Sequence, residues 1–139
     1  MRDNSHNQPS ARVEKSEREW RAELTPAQYE VLRRKGTEPP FTGRYVYEKR
    51  DGKYRCAACG TALFSADTKF DSGTGWPSFT EPADRANVEL HDDRSYGMHR
   101  IEVTCAVCGG HLGHVFDDGP GETRERFCIN SAALELDEG

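Results

Sequence analysis

The pattern of apolar and polar positions changes once along this chain, near Phe41. Before it, two short helices are predicted. Ser16 and Glu19 have the spacing of a capping box for a short helical turn around Trp20. In "LTPAQYEVLRRKG", Thr25 caps, Pro26 takes the first helical position and Gln28 the third. Leu24 and Tyr29 are spaced as a hydrophobic staple, basic residues fill the last turn, and Gly36 is placed to end the helix. Residues 1–15 are polar and aperiodic, which predicts disorder there. Beyond Phe41 the runs shorten. "RYVYEKRDGKYRC" predicts two strands around an Asp51-Gly52 turn, and "VELHDDRSYGMHRIEVTC" two more. "RFCIN" and "AALEL" add short strands near the end, with glycine and proline between the runs. The expectation is one mainly β domain over residues 16–139 with an N-terminal helical extension. Strand order does not follow from these patterns.

Composition narrows the function. At 139 residues with a net charge of −5, the chain suits one domain and gives no electrostatic reason to bind nucleic acid. No apolar run approaches a membrane span, and the polar, partly acidic N-terminus does not read as a signal or transit peptide. An odd count of 5 cysteines fits a reducing compartment better than a disulfide framework. A soluble cytoplasmic protein, monomeric by default, is expected.

Four of the cysteines form a small repeat. "CAACGTAL" and "CAVCGGHL" both obey Cys-Ala-x-Cys-Gly-x-x-Leu. Two thiolates two residues apart can face one metal when the backbone turns tightly, and the following glycine lets the turn close. Cys56, Cys59, Cys105 and Cys108 therefore predict a tetrahedral structural site, with zinc the default ion and a rubredoxin-like iron the chief rival.

Cys128, in "RERFCINSAA", is left over. It suits a buried core thiol, but its strand argues for more. Phe127 and Ile129 take one face; Arg126, Cys128 and Asn130 share the other. A cation, a thiol and an amide pack poorly in a core and suit a reactive site, with Arg126 favouring the thiolate. In "GGHLGHVF", His111 and His114 are candidates to activate a thiol or donate a proton. In "DSGTGWPSF", Trp76 and Phe79 either anchor a loop or supply an apolar wall for a substrate.

Together these motifs resemble the methionine-R-sulfoxide reductase B family, from "LTPAQYEVLRRKGTEPPFTGRY" to "RFCINSAAL". The resemblance implies two antiparallel sheets in a β-tent arrangement, with zinc away from the active site. It implies Cys128 as nucleophile, His111, His114 and Asn130 around the sulfoxide, and Trp76 against the substrate methyl. It implies methionine-R-sulfoxide in oxidised proteins or peptides as substrate, no catalytic cofactor, and thioredoxin as the usual reductant. His114 is the first choice of proton donor. One position departs: Thr74 stands where many members carry a resolving cysteine. With four thiols assigned to metal, none remains to resolve a Cys128 sulfenic acid, so an external thiol is expected. Two other readings compete, a zinc scaffold that binds protein partners and a peroxide-reducing thiol enzyme.

Overall fold

A computed structural model describes residues 13–139. Two helices open the chain, α1 (Glu17–Glu23) and α2 (Pro26–Arg34), and both carry the predicted capping boxes. Leu24 and Tyr29 are both buried, as the staple requires. The end of α2 differs from expectation. Lys35, not Gly36, takes the left-handed conformation at φ 59°, while Gly36 donates its N–H to the Glu30 carbonyl. A Cβ on Gly36 would lie 2.9 Å from that oxygen, so close approach explains this glycine better than a left-handed turn does.

Nine strands follow: β1 (Lys53–Cys56), β2 (Ala62–Ser65), β3 (Lys69–Phe70), β4 (Ser78–Phe79), β5 (Val88–Asp93), β6 (Arg100–Cys105), β7 (His111–Phe116), β8 (Arg126–Ile129) and β9 (Leu134–Asp137). They form two antiparallel sheets, ordered β2-β1-β9 and β3-β4-β8-β7-β6-β5. The fold class is as expected. The hairpin around Asp51-Gly52 is not: residues 44–47 form turns and only the second half becomes a strand. Both edges of β1 are already taken, since Lys53 pairs with Ser65 on one side and Asp137 on the other. Tyr45 is buried by another route, edge-on to Tyr54 at 5.3 Å with its hydroxyl accepting the Leu136 N–H.

The core lies between the sheets. Tyr54 and Phe64 from the smaller sheet meet Phe79 and Phe127 from the larger; Phe64 stacks on Phe79 at 4.5 Å. Phe79 therefore belongs to the core, which settles half of the question posed by its loop. α2 packs against β7 and the 3-10 turn Ser131–Ala133.

The expectation of disorder covers the segment of residues 1–15. Residues 1–12 lie outside the described residues, but Val13 donates to the Val107 carbonyl and packs on the core, so its end is tied down before residue 15. Among the described residues, no helix is long and apolar enough to cross a membrane.

Removing the stacked ring tests the packing. Phe79→Ala should lower unfolding stability by about 3–5 kcal/mol, read from denaturant titration; a loss below about 1 kcal/mol would contradict the packing described.

Candidate active site

The site is built on β7 and β8. Their register sets Cys128 directly opposite His114, and Gly113 opposite Ile129. The strands come close here: a Cβ on Gly113 would overlap the Cys128 carbonyl oxygen, so the position requires glycine. On β8 the predicted alternation holds. Phe127 and Ile129 are fully buried in the core, and Arg126 and Cys128 face the other way, half-buried.

β7 carries a bulge that the sequence does not announce. Val103 pairs with Gly113 but Thr104 with His111, so β7 holds one extra residue there. Strict alternation would put His111 and His114 on opposite faces. The bulge brings their rings together instead, with centroids 5.5 Å apart, while Leu112 is driven into the core.

Each histidine is held by a carboxylate. His114 Nε2 lies 2.8 Å from Asp93 Oδ2 on β5, and His111 Nδ1 lies 2.7 Å from Glu102 Oε2 on β6. Asp93 also accepts the Ser95 N–H and hydroxyl, and Ser95 followed by His114 holds its carboxyl well below the usual carboxylate range. Burial pushes His111 below the ordinary imidazole value, with Glu102 working against it. His111 Nε2 is buried with no hydrogen-bond partner among the described residues.

A cavity of about 90 Å³ opens over Cys128, lined by Thr37, Trp76, Gly113, His114 and Asn130 together with Arg100 and Phe116. Four of the residues singled out from sequence thus share one cavity. His111 does not line it; it sits beside His114. Trp76 is half-buried at the wall, and its Nε1 donates to the Glu38 carbonyl at 3.0 Å. Buried Asn130 donates from Nδ2 to the Leu112 carbonyl and accepts the Glu38 N–H, leaving its second amide hydrogen uncommitted by these bonds. Thr37, Arg100 and Phe116 were missed. Phe116 was legible, two positions from His114 on the same strand; Thr37 and Arg100 lie in segments without a motif.

The electrostatics of Cys128 are contested. Burial raises its pKa; the Arg126 guanidinium and the Thr74 hydroxyl draw it down, and the Glu38 carboxylate adds to the rise. The net direction is upward, so Arg126 acts as expected but does not prevail. Arg126 is itself fixed, 2.8 Å from Asp118 through Nε and packed over the Phe116 ring at 4.5 Å.

The other four cysteines cluster apart from this cavity and line none of it. Their sulfurs all lie within 4.8 Å of one another, with Cys56 to Cys108 at 3.7 Å and Cys59 to Cys105 at 3.6 Å. A tetrahedron of sulfurs about 2.3 Å from one ion has edges of about 3.8 Å, so the donor set fits a metal. The two turns match. Gly60 and Gly109, at φ 84° and 76°, donate their N–H groups to the Cys56 and Cys105 carbonyls.

Comparison with known proteins agrees with this geometry. Residues 24–138 match the SelR domain. A peptide methionine sulfoxide reductase MsrB from Methanosarcina barkeri is 62% identical over 124 residues, 89% of this chain and 87% of that protein. One of the same name from Bradyrhizobium diazoefficiens is 60% identical over 126 residues, 91% of each chain. The mouse mitochondrial methionine-R-sulfoxide reductase B3 is 54% identical over 121 residues, 87% of this chain but 48% of that longer protein. The chain belongs to the methionine-R-sulfoxide reductase B family.

The raised thiol pKa has a kinetic consequence. Iodoacetamide alkylation of Cys128, followed by peptide mass spectrometry, should rise close to tenfold (about 1 log unit) per pH unit between about pH 6 and 8, because the reactive thiolate is scarce there. A rate already level at pH 7 would mean that Arg126 outweighs burial.

Proposed function

We propose that this protein reduces methionine-R-sulfoxide, preferably within polypeptides, to methionine, and so repairs oxidised proteins. The observation that carries the reading is the pairing of Cys128 with His114 at one small cavity walled by Trp76 and Asn130.

A sulfoxide becomes a useful electrophile when its oxygen is protonated or strongly hydrogen-bonded. The Cys128 thiolate attacks the sulfoxide sulfur while His114, held by Asp93, delivers a proton to the oxygen. The attack forms a bond between the Cys128 sulfur and the substrate sulfur; that bond and the sulfoxide S–O bond then break as the oxygen passes to Cys128 as a hydroxyl. The products are the methionine thioether and a Cys128 sulfenic acid, the thiolate sulfur having been oxidised by two electrons. Asn130 supplies its uncommitted amide hydrogen to the oxygen, and Trp76 packs on the S-methyl group. His111, held by Glu102 outside the cavity, acts through its edge contact with the His114 ring rather than on the oxygen itself. Handedness follows from placing sulfur, methyl and oxygen at three fixed points.

Regeneration needs an external thiol. Thr74 carries a hydroxyl, hydrogen-bonded to Ser72 at 2.8 Å, where a resolving cysteine would stand. A thiol condenses with the sulfenic acid, releasing water and leaving a mixed disulfide; a second thiol then frees Cys128. Thioredoxin or a small thiol in a reducing compartment supplies both. Cys56, Cys59, Cys105 and Cys108 would hold zinc in a structural role, tying the end of β1 to the end of β6.

With dithiothreitol as reductant, a peptide carrying each epimer should lose only the R form, and Cys128→Ser should abolish the loss. After one turnover without reductant, the intact mass should rise by one oxygen with no disulfide involving Cys128. Loss of neither epimer by folded protein would sink the reading. Metal analysis should find about one zinc per chain, and stripping it with a chelator should lower the unfolding midpoint. Iron in its place would correct the ion.

A further inference from the structure

Trp76 and Asn130 come from different strands' ends, yet both are tied to one residue that belongs to neither. Glu38 lies in the irregular segment after α2. Its carbonyl accepts the Trp76 Nε1–H at 3.0 Å, and its N–H donates to Asn130 Oδ1 at 3.0 Å. Its side chain then turns back on the same neighbourhood. Oε2 accepts the Ser131 N–H at 2.8 Å and Oε1 the Ala132 N–H at 3.0 Å, at the start of the turn that follows Asn130. Gly43 makes room for this arrangement, since a Cβ there would overlap both the Glu38 carboxylate and the Ser131 hydroxyl. The same segment holds the tryptophan loop again through the Phe41 N–H, which donates to the Gly75 carbonyl at 2.7 Å.

We propose that Glu38 is a positioning residue that sets the spacing between Trp76 and Asn130, and through that spacing the preference for one sulfoxide epimer. The inference rests on the reductase reading. The carboxylate is the anchor, because charge-assisted bonds to two adjacent N–H groups are directional and strong. The backbone of the same residue carries the two functional bonds, so any slackening of the anchor moves the methyl wall and the amide together. Glu38 does not line the cavity over Cys128. Its charge also reaches the attacking sulfur, adding to the rise in the Cys128 pKa, so Glu38→Asp, which keeps that charge, isolates its effect on the fit of the substrate.

Two variants separate reach from charge. Glu38→Asp keeps the charge and shortens the arm by one methylene. Glu38→Gln keeps the length but turns an amide N–H against one of the two donors. Both should raise KM for the R-epimer peptide about tenfold or more, keep kcat within about threefold, and narrow the ratio of R to S turnover. The Trp76 indole N–H resonance, assigned with Trp76→Phe, should shift in both variants while that of Trp20 stays in place. Circular dichroism checks that each variant is folded.

Folded variants with unchanged KM and an unmoved Trp76 resonance would overturn the proposal. So would a loss confined to kcat that a smaller folded fraction accounts for. Wild-type inactivity toward both epimers would remove the reductase reading itself; an unmoved Trp76 resonance in the variants would separately show that Glu38 does not set that side chain.

Discussion

The close pairing of β7 with β8 is the constraint on which the site depends. Gly113 lets the two backbones approach, and that register sets Cys128 against His114. The same pairing brings the Leu112 carbonyl to Asn130, which donates to it from both its backbone and its side chain. One residue of slip would turn Cys128 into the core and Phe127 into the cavity, at the cost of unburying the Phe127 ring that packs on Phe64. The packing that stabilises the sheets is thus what holds Cys128 in register against His114.

Around that fixed pair the chemistry is tuned by opposing influences. Partial burial raises the pKa of Cys128, while Arg126 and Thr74 counter it. His114, paired with Cys128, is anchored through Asp93 to a strand at the far edge of the sheet. Glu102 does the same for His111 from the neighbouring strand, and Lys35 at the end of α2 approaches Glu102 at 3.5 Å. The carboxylates fix ring orientation without touching the cavity.

The cysteine cluster works at longer range. It joins the end of β1 in the small sheet to the end of β6 in the large one, two points that the chain alone leaves far apart in sequence. Arg33 of α2 adds a hydrogen bond to the Cys108 carbonyl at 2.9 Å. In a domain of this size a metal held by that cluster would stiffen the frame from which β7 departs, only three residues after Cys108.

Sequence alone determined the features that arise from local periodicity and local chemistry. The capping boxes at Ser16 and Thr25, the two cysteine turns, and the face shared by Arg126 and Cys128 all depend on residues a few positions apart. The family resemblance extended this to the side chains around the cavity. What failed was non-local. The Asp51-Gly52 hairpin did not form because β2 and β9, distant in sequence, already occupy both edges of β1. The meeting of His111 with His114 needed a bulge defined only by pairing with β6, and neither Asp93, Glu102 nor Glu38 carries a motif that names its partner. Alternation and capping are written along one segment of chain, whereas register, edge occupancy and the reach of a carboxylate across strands exist only once segments have met.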